Sequence, residues 1–157
     1  MKIAVIGDTH GRIEKICREL KLVKADQIFF TGDFLSDAKR IAHHLGGVML
    51  HAVAGNCDFY ESGPAERILD LEGKRFYMVH GHQYGVKISV NSLYYRGLEL
   101  GADVVLFGHT HIPFCKQIEG IWLINPGSPS RPRLDKKGSY ALLYLEKGKI
   151  EAAIEYI

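Results

Sequence analysis

At 157 residues, with 46% hydrophobic and 24% charged side chains, the chain has the size and make-up of one folded domain (residues 1–157) with a proper core, which argues against disorder. A formal charge of +2, with Lys and Arg interspersed among acids, argues against a nucleic-acid partner, and no apolar run approaches a membrane span. Cys17, Cys57 and Cys115 show no CxxC spacing, and an apolar strand follows Met1 directly where a secreted chain has a charged leader, so a reduced, cytoplasmic protein is expected, with a homo-oligomer left open.

Lys2 to Ile6 is a β-branched run ended by Gly7 and predicts a central strand, followed by the loop Asp8-Thr9-His10-Gly11. Ile13, Ile16, Cys17, Leu20 and Val23 recur at helical spacing, which predicts an amphipathic helix from Arg12 to about Leu22 with Cys17 on its buried face. Gln27 to Thr31 is a second strand, stopped by Gly32-Asp33. Ser36-Asp37 is expected to cap a helix that runs to about Leu45, with Ile41, Ala42 and Leu45 inward and His43 and His44 on the surface. Val48 to Val53 is a third strand leading to Gly55-Asn56-Cys57-Asp58, and His51, inside it, is read as packing. Three strand-helix repeats imply parallel strands with right-handed crossovers.

Beyond Pro64 the pattern changes. Ile68 to Leu71 and Arg75 to Val79, separated by Glu72-Gly73-Lys74, predict a hairpin whose second strand ends at His80-Gly81-His82. Val90, Leu93, Tyr94, Gly97 and Leu98 predict a helix closed by Gly101, before the strand Val104 to Phe107 and Gly108-His109-Thr110-His111. The remainder reads as a β meander: Phe114 to Ile118, Ile121 to Ile124, the Asn125-Pro126-Gly127-Ser128 loop, Tyr140 to Leu145 and Ile150 to Ile157, with Trp122 in the core. The basic run from Arg131 to Lys137 is read as a solvated loop. Strand-helix units followed by strands predict one domain of two packed sheets with helices outside.

Each predicted strand end is followed by metal-ligand residue types: Asp8 and His10, Asp33, Asn56, His80 and His82, then His109 and His111. Carboxylate, amide and imidazole donors together suit divalent Mn, Fe, Ni, Co or Zn. Their number exceeds what one ion needs. Two ions would use them, and such pairs serve in-line displacement at phosphorus.

With these motifs in this order, Asp8-Thr9-His10, Gly32-Asp33, Gly55-Asn56-Cys57-Asp58, His80-Gly81-His82 and Gly108-His109-Thr110-His111, the sequence resembles the calcineurin-like metallophosphoesterase family. The short length and Asn125-Pro126-Gly127-Ser128 resemble its small microbial phosphodiesterase branch. The resemblance implies an α/β class, four-layer α/β/β/α sandwich of two mixed sheets flanked by helices. It implies two divalent ions per chain, Mn first with Ni, Co, Fe or Zn as alternatives. Asp8, His10 and His111 would hold one, Asn56, His80 and His109 the other, and Asp33 would bridge. A shared water, deprotonated between the ions, would attack the phosphorus of a small phosphodiester, with Asn56 also orienting the phosphate. Phosphomonoesterase, nuclease and a non-enzymatic trafficking scaffold of the same fold are the alternatives.

Cys57 departs from the pattern of many relatives, which carry a histidine there to assist the leaving group. A thiol transfers protons less readily near neutral pH, so aryl diesters are expected to react faster than alkyl ones. His82 is the nearest substitute acid in sequence, or else a partner that orients a ligand. Thr9 and Gly11 are read as shaping the first loop. Arg12 is read as solvated, and Tyr84 and Lys87 as loop residues, with phosphate contact (Arg12) and pocket lining as their alternatives.

Overall fold

The structure is a computed structural model that describes residues 1–134 and 137–157. Elements follow in the order β1 (Lys2–Ile6), α1 (Glu14–Val23), β2 (Gln27–Phe30), α2 (Leu35–His44), β3 (Met49–Ala52), β4 (Glu66–Leu71), β5 (Lys74–Val79), a 3-10 turn (His82–Tyr84), α3 (Asn91–Leu100), β6 (Val104–Leu106), β7 (Pro113–Ile118), β8 (Ile121–Pro126), β9 (Ser139–Glu146) and β10 (Lys149–Tyr156). They build two five-stranded mixed sheets, ordered β10-β9-β1-β2-β3 and β4-β5-β6-β8-β7. The first pairs β1, β2 and β3 in parallel, and the second does the same with β5, β6 and β8.

Period-two alternation explains the layering. In β1, Ile3 and Val5 enter the core between the sheets with Phe29, Phe76, Met78 and Leu106, whereas Ala4 and Ile6 face Ile16 and Leu20 of α1 and Ile41 of α2. On the far side, Tyr77, Val105 and Leu123 pack under Leu93 of α3. The result is the expected α/β/β/α sandwich. Each of these fully buried aliphatic side chains contributes on the order of 1.5–3 kcal/mol through its removal from water. No helix among the described residues is long and apolar enough to cross a membrane.

Three local expectations change. The last four strands form no meander, because β7 and β8 complete one sheet while β9 crosses to the other and pairs antiparallel with β1. Hydrophobic runs specify burial on both faces but not which sheet receives a strand. Ser36-Asp37 does not cap α2: the helix starts at Leu35, whose N–H donates to Asp58 Oδ1 at 2.7 Å, and Asp37 turns inward toward the first loop. Leu98 lies on the solvent side of α3, 47% exposed, while Gly97 packs against Val105 and permits the close helix approach. The three tight hairpins turn on Glu72-Gly73, Glu119-Gly120 and Lys147-Gly148, all at positive φ, as type I′ connections require. His51 packs edge-on against Phe29, and Trp122 is half-buried against the inter-sheet core. The basic run extends over residues 135 and 136, which lie outside the described residues; Arg131, Arg133, Leu134 and Lys137 are exposed.

Candidate metal centre

The carboxyl ends of β1, β2 and β3 in one sheet meet those of β5 and β6 in the other. Two bonds join the edges: His80 Nδ1 to Thr31 O at 2.8 Å, and the His109 N–H to Asp8 Oδ2 at 2.9 Å. The loops after five strands therefore open on one seam, drawn from both sheets and not from the edge of one.

Into that seam project the predicted ligands. Asp8, His10 and His111 offer donor atoms that all lie within 4.8 Å of one another, and so do Asp8, Asp33 and His80. His10 Nε2 stands 3.1 Å from His111 Nε2, His80 Nε2 is 3.2 Å from His109 Nδ1, and Asn56 Oδ1 is 3.0 Å from His80 Nε2. Donors each about 2.0–2.1 Å from one cation stand roughly 2.9–3.4 Å apart at right-angled to tetrahedral coordination angles. The spacing fits.

Protonation gives a second test. His80 Nδ1 donates to Thr31 O and His111 Nδ1 donates to Arg131 O at 2.9 Å, so in each neutral ring Nε2 carries only a lone pair. Burial pushes both rings below the usual imidazole range, which keeps them neutral near pH 7. Burial, with His80 and Lys87 nearby, lowers His109 to about 4, and burial and His111 lower His10. Yet His80 Nε2 faces Asn56 Oδ1 at 3.0 Å and Asp33 Oδ1 at 3.6 Å. Electron-pair donors converge there with no proton to share, which is the arrangement a cation satisfies.

The carboxylates agree. Asp8 is fully buried and Asp33 3% exposed, and among the described residues neither pairs with a Lys or Arg. Burial, then the charge of Asp33, pushes Asp8 up to about 7. For Asp33, burial acts upward, but His80 and the Cys57 N–H at 2.8 Å outweigh it and hold the carboxyl below the usual range. Two acids at such proximity favour a divalent counter-ion.

Backbone strain gathers at the same place. Asp8, His10, His109 and His111 all have positive φ, between 28° and 69°, at a cost of order 1–3 kcal/mol each. Surrounding hydrogen bonds hold that strain. Asp37 accepts from Thr9 Oγ1 at 2.7 Å and the Gly11 N–H at 2.6 Å; Ser128 Oγ donates to Asp8 O, and Ser130 Oγ to Thr9 O. Asn125 Nδ2 donates to both Gly108 O and Thr110 Oγ1, fixing the turn between His109 and His111. Gly55 has a spatial reason as well: a Cβ there would fall on Asp33 Oδ1.

The remaining predicted residues divide. Cys57 is half-buried, with Asn56 Nδ2 3.5 Å from its sulfur, and burial and Asp33 push its thiol up to about 11. The His82 ring centre is 5.4 Å from that of His80 and 6.1 Å from that of His109, and its buried Nδ1 has no hydrogen-bond partner. Tyr84 bonds Tyr77 Oη at 2.8 Å and is packing; Arg12 is exposed. Sequence reasoning missed Asp37, Asp58, Asn125 and Ser128 as loop braces. It also missed Arg131 and Arg133, whose charges bear on His111. The only sequence signal for those arginines was the basic run itself.

The calcineurin-like phosphoesterase superfamily domain matches residues 1–148. The chain is similar to the probable metallophosphoesterase YsnB of Bacillus subtilis, 36% identical over 148 residues that cover 93% of this chain and 85% of that protein. It is also similar to the phosphodiesterase YfcE of Escherichia coli K12, 30% identical, covering 91% and 87% of the two chains. Among solved structures it is similar to Vps29 of Entamoeba histolytica complexed with Zn²⁺, with a TM-score of 0.79 and 21% identity over 100% of this chain and 98% of the other, a likeness of fold alone. Fold, motif order and these matches agree: the chain belongs to the calcineurin-like phosphoesterase superfamily.

Proposed function

We propose that the chain is a phosphodiesterase that works with two divalent ions, manganese first among the candidates. The observation that carries this reading is the pair of buried acids without cationic partners, ringed by imidazole lone pairs at ligand spacing. Asp8, His10 and His111 would hold one ion, Asn56, His80 and His109 the other, and Asp33 would serve both. Such a pair of ions, when bound, supplies charge neutralisation at the phosphoryl oxygens and a water acidic enough to attack near neutral pH.

The chain's own residues position the reaction. Asp37, Ser128 and Asn125 hold the two ligand loops in their strained conformations, so little reorganisation remains when substrate arrives. The Cys57 thiol stays protonated and is a weak acid for a leaving alkoxide. His82, whose ring centre lies 5.4 Å from that of His80, is the nearest imidazole outside the ligand set and would either supply that proton or orient a ligand.

Metal-dependent turnover is the test. Two ions per chain, hydrolysis of bis(p-nitrophenyl) phosphate that chelation abolishes, and slower alkyl diesters are the expected results. A metal-free, inactive chain that captures a stable protein partner would instead support the scaffold reading. Phosphomonoesterase is a second reading favoured by one observation: Arg131, whose carbonyl holds His111, and Lys87 and Arg133, which line the cleft beside Thr110, set positive charge near the centre. Monoesters belong in the same screen, and rates above those of diesters would decide for it.

The ion assignment has its own test. His111→Ala should release chiefly the ion shared with Asp8 and His10, and His109→Ala the other, with metal content falling toward one per chain in each. Loss of both ions from each variant would refute the pairing.

A further inference from the structure

A cleft of about 330 Å³ borders the centre on the α3 side. Its wall is apolar, formed by Val86, Val90, Phe107, Ile112 and Phe114. None of the ligand side chains lines it; Thr110, between His109 and His111, is the point of contact with the metal turn. Asn125 and the Ile112 N–H both bond Thr110 Oγ1, which ties that turn to the cleft wall. Lys87 and Arg133 stand at the lining as its two charged members, and among the described residues neither forms an ion pair. Both are exposed, and both line the cleft together with Thr110 of the metal turn.

An apolar wall with cations beside a phosphoryl site fits an anion that carries one apolar ring. The volume is at the lower end of the ~300–1,000 Å³ usual for small-molecule sites, enough for a single ring system and too small for an extended chain of them. We infer that this cleft seats an aryl or heteroaryl arm of the phosphate ester and selects for it by binding, with Lys87 and Arg133 taking non-bridging phosphoryl oxygens. The inference rests on the hydrolase reading above. It also differs in cause from the preference for good leaving groups, which acts on the chemical step and has no effect on the affinity of a ligand that cannot react.

Phosphonates separate the two. Titration of the manganese-loaded chain with phenylphosphonate and methylphosphonate should show tighter binding of the phenyl compound by on the order of ten- to a hundred-fold, the effect of taking one ring out of water. Ile112→Trp, which fills the cleft, should bring that ratio close to one, and Val90→Phe should lower it in the same direction should the first variant fold poorly. Equal affinity of the unaltered chain for both phosphonates, or a ratio unmoved in a folded filled-cleft variant, overturns the assignment. Turnover of bis(p-nitrophenyl) phosphate is measured alongside. Turnover without a phenyl preference removes the cleft alone, whereas a two-metal chain with no turnover removes the hydrolase reading.

Discussion

Asp33→Asn is expected to lower phosphodiester turnover by on the order of a thousand-fold while the chain stays folded, because the change removes charge without removing shape. Asparagine keeps an oxygen for the Cys57 N–H, which Asp33 Oδ1 accepts at 2.8 Å, and its own N–H still reaches Asp8 Oδ1 at 3.3 Å. The loop after β2 therefore retains its bonds. What is lost is one of two negative charges and the second oxygen lone-pair set of the residue proposed to serve both ions. Metal analysis should show one ion per chain or fewer. Unchanged turnover with two ions bound would remove Asp33 from the bridging role, and collapse of the fold would show that its part is structural.

The proposed ligands could be read from sequence because each stands within a few residues beyond a short apolar run that a Gly or a polar residue ends. Asp8 after Ile6, Asp33 after Phe30 and His80 after Val79 are examples. What was hidden depends on contacts between distant parts of the chain. β9 lies beside β1 through pairs such as Ile3 with Leu143, and no local pattern in 139–146 says so. Asp37 looked like a helix cap because its immediate sequence suits one, but its carboxylate serves Thr9 and Gly11. Likewise the basic run gave no hint that Arg131 O would orient the His111 ring, or that Arg133 would reach the cleft. Spatial placement, not residue type, carried that information.

Asp8→Asn should stabilise the metal-free chain at alkaline pH and destroy the benefit of metal. In the folded chain the Asp8 carboxyl titrates at about 7, against an ordinary value of 3.8 that the unfolded chain keeps. The raised value means that the native state binds the extra proton between those limits, so the stability it contributes is present at acid pH and lost as pH rises through 7. At about 1.4 kcal/mol for each pH unit, the wild-type chain should lose roughly 4 kcal/mol relative to the asparagine variant between pH 4 and pH 8. That corresponds to on the order of 10 °C in melting midpoint for a chain of this length. Asp33, whose charge helps to raise Asp8, and the His80 and His111 rings, 4.0 Å and 3.9 Å from Asp8 Oδ1, respond to the same substitution, so the difference reports Asp8 together with these neighbours. Asparagine also turns an N–H₂ group toward either the Asp33 or the His109 N–H, which offsets a constant part of the gain but not its pH dependence. Manganese should narrow the gap: at a hundred times its dissociation constant an ion stabilises the wild type by about 2.7 kcal/mol, and the variant, lacking the carboxylate, should gain little. Parallel melting curves from pH 4 to 8, with and without manganese, test both halves. A stability difference that does not change with pH would place the proton elsewhere, and equal stabilisation of both proteins by manganese would mean that Asp8 holds no ion.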